Sequence, residues 1–549
     1  MTIESLCRNC VDSSIGASFV HNKTQVFLVK HIRMKESKTL YLQVIEWVLF
    51  ILTTIKCGLI FLLNWCWFNR HKLPPGAKLP PMPPTSSIFG HKELKLHNFH
   101  YVKALQWAKE YGPVFRLRSY FRSIVVLNDI ESIKKFSVDN QVLDRPEIMN
   151  FGCGSYKGVL IMNGKVWRDN RNFCMWTLRD LGFGKSTVED KLAIEFRMLE
   201  EEIEKTEGKP VYLGLQFMEC AANQLASFFM PRIQSDKRAR DELNATLARV
   251  FVLLQTMHHY HFWPRVCQAI ASFLPFTKIF KMKDAIKNFD NFIINEISNH
   301  VQGSGRKSFI QTYKDKVNES AENQDYTYKN HYLVGHIKMF LIGGIDGPSI
   351  SMQMHMVMFA ARPNDLQLRV QREIDTVIGH RRLPTWEDRK LMPFTMACVW
   401  ELERWKRTEP FGLPRGTEKD VIVDNIMIPG GSVVLFNLWA VNRDPSLWRN
   451  PHHYDPTRFL CEDGSLMREK PAYHVGFSFG KRSCPGEPFA LMQIFLMVAN
   501  MLQRYKVELG EPLACDLDDP AIDLGVLKRT RLRFERRFKN TIRCNGAHQ

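Results

Sequence analysis

Apolar residues recur at helical spacing through 192–207, 236–258, 331–361 and 487–505, and two shorter runs, around 113–128 and 421–437, have the composition of strands. The pattern predicts a mainly α fold with a small β region. One further stretch differs in kind. From Trp47 to Phe68 the chain runs 22 residues, broken only by Lys56, Asn64 and small residues. On the membrane-insertion scale a central lysine costs ~2.5–3.5 kcal/mol, while each Leu, Ile, Phe or Val contributes ~0.3–0.6 in favour. The twelve such residues between Val48 and Phe68 outweigh Lys56, whose long stem can also reach the interface. The bulky flank Asn64-Trp-Cys-Trp-Phe-Asn-Arg70 is no signal-peptidase site, so a single-pass anchor over 39–69 is expected. Lys30, Arg33, Lys35 and Lys38 precede it and Arg70, Lys72 and Lys78 follow, so charge does not select an orientation.

Residues 1–38 are polar and unpatterned and read as a disordered extension. At 70–84, Leu73-Pro-Pro-Gly-Ala-Lys-Leu-Pro-Pro-Met-Pro-Pro84 excludes helix and predicts a stiff extended hinge. Nothing comparable interrupts 85–540, which reads as one large catalytic domain. The 549 residues carry a net charge of +18 and are 45% hydrophobic, enough for a substantial core. No zinc-finger spacing or RNP-like strand accompanies the charge, so a membrane surface and an acidic protein partner are expected rather than nucleic acid. The 13 cysteines have no framework of spacings, which points to a reducing compartment. His258, His259 and His261 read as a solvated cluster, not a metal site.

The densest chemical signal lies near the C-terminus, in Phe477-Ser-Phe-Gly480-Lys-Arg482-Ser-Cys484-Pro-Gly486. An apolar helix follows at once, and a thiol just ahead of a helix start meets the positive end of the helix dipole, which favours a metal-binding thiolate. The segment resembles F-x-x-G-x-R-x-C-x-G, the haem-binding loop of the cytochrome P450 family. The resemblance implies the cytochrome P450 fold, haem b as cofactor and Cys484 as axial ligand of its iron. Phe477, Gly480 and Gly486 would shape the loop against the porphyrin, and Arg482 would pair with a propionate.

Other segments stand in the family's order. Trp167 and Arg171, four apart on one helical face, match a W-x-x-x-R pair that bonds a propionate. Glu401-Leu-Glu-Arg404 with Arg458 of Asp455-Pro-Thr-Arg458-Phe459 matches E-x-x-R and P-x-R-F, which imply a buried charged triad that frames the haem loop. Arg415 of Phe411-Gly-Leu-Pro-Arg415 would reach the second propionate. Phe151, Phe340, Ile345, Phe411, Leu413 and Val526 would face substrate.

The pattern departs from the family in Gly343-Gly344-Ile-Asp346-Gly347-Pro348-Ser349. Gly343 and Gly344 match the small residues that open a dioxygen groove, and Asp346 matches the acid on the proton path. A threonine is expected at 347, where glycine stands. Pro348 removes a helical bond to the Gly344 carbonyl, at a cost of ~3 kcal/mol, so a wider, kinked groove is expected. Either Ser349 or a water replaces the hydroxyl, or coupling suffers, or the reaction does not activate dioxygen.

The resemblance therefore implies a monooxygenase that inserts one atom of dioxygen into a lipophilic small molecule: a steroid, terpenoid, fatty acid or xenobiotic. It implies NADPH-cytochrome P450 reductase as electron donor and allows cytochrome b5 as a second. Arg168, Arg179, Lys185 and Lys481 are candidate contacts for that donor. It also implies an endoplasmic reticulum membrane location with the catalytic domain cytosolic. A haem-thiolate isomerase or dehydratase, or an idle haem-binding protein, would keep the same haem contacts.

Overall fold

The computed structural model describes residues 73–538 except 86, 88, 95–100, 121, 139–141, 151–153, 257–264, 301–307, 406–408 and 520–523, together with scattered residues between 47 and 62. The chain divides into two units, one of Met1–Lys72 with Ser86–Ile88 and one of Leu73–Thr85 with Phe89–Gln549. In the first, Trp47, Val48, Ile51, Leu52, Ile55, Leu59 and Leu62 are helical and exposed. Apart from Thr54 and Gly58, which are also helical and exposed, the rest of the expected anchor and the extension 1–38 lie outside the described residues. Among the described residues no helix is long and apolar enough to cross a membrane.

The second unit is mainly helical. Its larger helices are α1 (Gly164–Asp180), α2 (Glu189–Glu204), α3 (Gly214–Ala226), α4 (Lys237–Gln255), α5 (Lys278–Ser298), α6 (Phe309–Glu322), α7 (Asn330–Ala361), α8 (Pro393–Trp405) and α9 (Glu487–Arg504). Their starts follow local chemistry. Asp236 caps α4 by accepting from the Arg238 and Ala239 amides, Thr277 caps α5 at Phe280 N, and Ser308 caps α6 at Gln311 N. α9 carries Pro488 in its first turn, where no intrahelical donor is lost.

α7 forms the spine. Its apolar residues are not confined to one stripe, and such a helix must be buried. Leu341, Ile345, Met352 and Met356 are fully enclosed, and α3, α5 and α9 pack around it. Buried Lys338 on α7 pairs with Asp290 on α5 at 2.6 Å. The helix runs on through Pro348 and stops at Arg362, whose conformation is restricted by Pro363. Gly335 lets the preceding loop lie directly on the spine: a Cβ there would sit 2.1 Å from Lys157 O, and one on Gly158 equally close to Gly335 O.

A four-stranded sheet lies to one side, built from β1 (Val114–Ser119), β2 (Arg122–Leu127), β3 (Arg415–Gly416) and β6 (Val433–Phe436) in the order β1-β2-β6-β3. β1 and β2 are antiparallel with Val114 opposite Leu127. β2 and β6 are parallel with Ile124 opposite Val433, and β3 runs antiparallel to β6 with Arg415 opposite Val434. β4 (Val421–Val423) and β5 (Ile426–Ile428) form a hairpin turning at Asp424 and Asn425, both left-handed, as such turns require. β7 (Tyr505–Leu509) pairs with β8 (Leu532–Arg536). The proline-rich segment is pinned to this unit through Lys78 N to Asn425 O, Met427 N to Lys78 O, and Arg116 N to Pro81 O.

Candidate haem site

One large cavity lies between α7 and the loop of 476–486, bounded also by the start of α9, the strand β3 and the loop of 158–160. Cys484 faces it. The loop is held by Cys484 N donating to Phe477 O at 2.8 Å and Ser483 N to Gly480 O at 2.9 Å. Gly480 has φ of +69°, a left-handed conformation that favours glycine. A Cβ on Gly486 would lie 3.8 Å from the Cys484 sulfur. Protein surrounds Cys484 on all sides except the cavity, into which its side chain is exposed. Burial pushes its thiol above the ordinary range, while the Gly486 amide and Arg171 favour the anion. A cation bound to the sulfur would complete what these two begin.

Four guanidinium groups, Arg145, Arg171, Arg415 and Arg482, line the same cavity. Arg482 donates from Nε to Leu143 O (2.9 Å), from Nη1 to Val159 O (3.4 Å) and from Nη2 to Met162 O (2.6 Å) and Asn163 Oδ1 (3.1 Å). Arg145 donates to Leu160 O at 3.1 Å, Leu413 O at 3.0 Å and Pro414 O at 2.7 Å. Arg171 holds Ser483 O at 2.7 Å, and Arg415 holds Phe479 O at 2.9 Å. Burial and mutual repulsion depress the group: Arg415 to about 10, Arg482 to about 9, and Arg145 well below its ordinary value. Among the described residues their bonded partners are carbonyl, amide and hydroxyl oxygens, with no carboxylate bonded to any of the four, although the charge of Asp144 acts on Arg482.

Two donors in this region are buried with no acceptor, Trp167 Nε1 and Arg415 Nη1. Orphaned buried donors are costly, of order 1–3 kcal/mol each. A dianion such as the two propionates of haem supplies both the acceptors and the counter-charge. The ring of Trp167 also supports Arg482, whose guanidinium carbon stands 3.6 Å from the ring centroid. The residues fit haem.

Across the cavity from the cysteine loop, α7 contributes Met339, Phe340, Gly343, Gly344, Gly347, Pro348 and Ser351. A Cβ on Gly343 or Gly347 would meet nothing within 4 Å, while one on Gly344 would meet Leu225. Ser349 does not line the cavity; its hydroxyl donates to Asp346 O at 3.0 Å. Below the loop, Glu401 receives Arg404 Nε at 2.7 Å, Arg404 Nη2 at 2.8 Å, Arg458 Nε at 3.2 Å and Asp455 N at 2.7 Å, with Glu401 and Arg404 fully buried.

Of the residues singled out in the sequence, Cys484, Phe477, Gly486, Arg171, Arg415, Arg482, Gly343, Gly344, Phe340 and Leu413 line the cavity. Trp167 and Gly480 stand behind its walls. Ile345 is enclosed in the core, Phe411 packs with the cluster around Trp107 and Phe115, and Asp346 and Val526 are not among the lining residues. Phe151 lies outside the described residues. The sequence reading missed Arg145, Ser351, Glu403 and Glu409, all of which line the cavity. Asp144-Arg145-Pro146 offered no spacing signal; only the fold brings Arg145 to Leu413 and Pro414.

A cytochrome P450 family model matches residues 80–530. Cytochrome P450 2C54 of Mus musculus is 30% identical over 493 residues, covering 87% of this chain and 97% of that protein. Cytochrome P450 2C7 of Rattus norvegicus is 30% identical over 473 residues, covering 84% and 93%. Cytochrome P450 2U1 of Rattus norvegicus is 28% identical over 490 residues, covering 83% and 90%. The chain belongs to the cytochrome P450 family. It is an oxidoreductase, a monooxygenase whose cofactor is haem with a cysteine thiolate as axial ligand.

Proposed function

We propose that Cys484 is that axial ligand and that the enzyme inserts one oxygen atom from dioxygen into a lipophilic small molecule, with electrons from NADPH through a reductase. The carrying observation is the meeting, in one cavity, of Cys484, four arginines and donors that lack acceptors. Haem, when bound, supplies dioxygen activation, assisted by electron density from the thiolate. Arg145, Arg171, Arg415, Arg482 and Trp167 would hold the propionates and so fix the porphyrin's orientation. Glu401, Arg404 and Arg458 would hold the loop that presents the sulfur.

Much of the cavity lining is apolar: Val159, Leu160, Leu225, Met339, Phe340 and Leu413 contribute to it. This supports a lipophilic substrate. Gly347 offers no hydroxyl and the Ser349 hydroxyl is committed to its own helix, so proton delivery would run through water along the glycine face, with Asp346 as the nearby acid. Arg168, Arg179, Lys185 and Lys481 are exposed on α1 and the segments around the cysteine loop, a basic face suited to an acidic flavoprotein donor. The apolar span before Leu73 supports anchorage in the endoplasmic reticulum membrane. A reconstituted assay with purified NADPH-cytochrome P450 reductase and a lipophile panel tests the reading. NADPH-dependent product formation is expected, and haem-loaded enzyme that consumes no NADPH with any lipophile contradicts it.

A further inference from the structure

His336 on α7 is fully buried and lies where two parts of the arginine cradle meet. On one side is the loop of 158–162, brought onto α7 where neither Gly158 nor Gly335 has room for a Cβ. Val159 N donates to His336 Nδ1 at 3.2 Å. Carbonyls of the same loop hold two of the guanidinium groups in the cavity: Val159 O and Met162 O accept from Arg482, and Leu160 O accepts from Arg145. On the other side is α1. With Nδ1 accepting, the ring proton sits on Nε2, which donates to Asn170 Oδ1 at 3.0 Å. Asn170 directly precedes Arg171 and follows Trp167 by less than one turn. Its amide nitrogen donates to Val166 O at 2.9 Å and Thr327 O at 3.0 Å, and Tyr313 of α6 donates to its Oδ1 at 2.6 Å. One imidazole therefore bonds the loop that holds Arg482 and Arg145 and the helix that carries Trp167 and Arg171.

We infer that His336 is a positioning residue for haem binding, whose two ring nitrogens fix the loop of 158–162 against α1 and so set the spacing of the donors that hold the propionates. The inference rests on the propionates lying among those donors, as proposed above. Groups behind the direct contacts of a cofactor set its affinity by keeping those contacts in register. Both bonds of His336 lie in the core, where water cannot replace a lost partner.

The test combines the resonance Raman bands of the haem propionates with haem transfer to a scavenging protein, on the full-length haem protein and its variants. His336→Phe keeps a ring but loses both bonds. It should shift the propionate bands and release haem about 3- to 10-fold faster, the factor carried by one ordinary hydrogen bond. His336→Asn places an amide oxygen where Nδ1 accepts from Val159 N, and should restore the parental bands. Tyr313→Phe removes a donor from the same cluster but leaves both His336 bonds, so its bands should stay parental even if its melting temperature falls. Unmoved bands and release rate in His336→Phe overturn the inference. An equal shift in Tyr313→Phe also overturns it, since that would reflect general loosening. If His336→Phe fails to hold haem, His336→Asn decides: parental bands support the inference and loss of haem overturns it. Arg482→Lys serves as reference, and propionate bands unmoved in that variant would contradict the arginine cradle itself rather than the part played by His336.

Discussion

The guanidinium of Arg482 lies over the ring of Trp167 at 3.6 Å from its centroid, while the indole Nε1 of the same ring is buried with no acceptor. One residue thus steadies a cation with its face and offers a donor with its edge. The two functions can be separated. Trp167→Phe keeps an aromatic face beneath Arg482 and deletes the donor. A hydrogen bond to a charged group is worth ~1.5–3 kcal/mol, so haem should leave the variant about 10- to 100-fold faster. Transfer of haem to an excess of a haem-scavenging protein measures this.

Glu401 is the sole carboxylate bonded to Arg404 and Arg458 among the described residues. Removing one partner of a buried ion pair costs about 3–5 kcal/mol, because the remaining charge stays buried. Glu401→Gln should therefore express with little bound haem and a lowered melting temperature. The Soret absorbance per polypeptide, read beside a thermal melt, checks both.

Acid should destabilise the protein through histidines buried in the neutral form. Burial holds His336 and His474 at about 3 and His355 at about 4. His336 accepts from Val159 N at 3.2 Å and bonds Asn170 Oδ1 at 3.0 Å, so it works as the neutral tautomer. Below about pH 6.5 the unfolded chain binds protons that the native state does not, so stability is present above that value and falls on acidification. Each group contributes about 1.4 kcal/mol per pH unit in the window between the two pKa values. Melting temperatures from pH 7 to pH 5 should drop, and His336→Asn should flatten the slope.

Gly347 stands where a side chain would meet nothing within 4 Å, and its φ is not left-handed. Gly347→Thr should fold without penalty, since glycine is about 0.5–1 kcal/mol less favourable than alanine in a helix. The added hydroxyl should raise product formed per NADPH consumed and lower peroxide release. An unchanged ratio would show that water already serves this wall adequately.

How far the site was legible in the sequence depended on how local each feature is. Cys484, Gly480 and Arg482 share one loop, and Trp167 with Arg171 or Glu401 with Arg404 share one helix turn, so the short motifs that carry the family resemblance pointed to them. Arg145 could not be found in this way, because its role comes from carbonyls at 413 and 414, far along the chain. Ser351 and Glu403 are likewise brought together from two helices. On α7 the spacing shows which residues share a face, but not which face meets the cavity. Gly343, Gly344, Gly347 and Ser351 turned out to share that wall, and Ile345 turned into the core. The fold class followed from periodicity because the long apolar patterns at 331–361 and 487–505 exceed any strand.

The most direct test of the central claim is the spectrum of the reduced, CO-bound protein, taken beside Cys484→Ser. The parent should give the band of a thiolate-ligated haem, and the variant should lose it while Cys174, Cys220 and Cys398, all buried elsewhere, remain in place. A thiolate band that survives in Cys484→Ser, or a parent that binds haem through a different donor, would contradict the account.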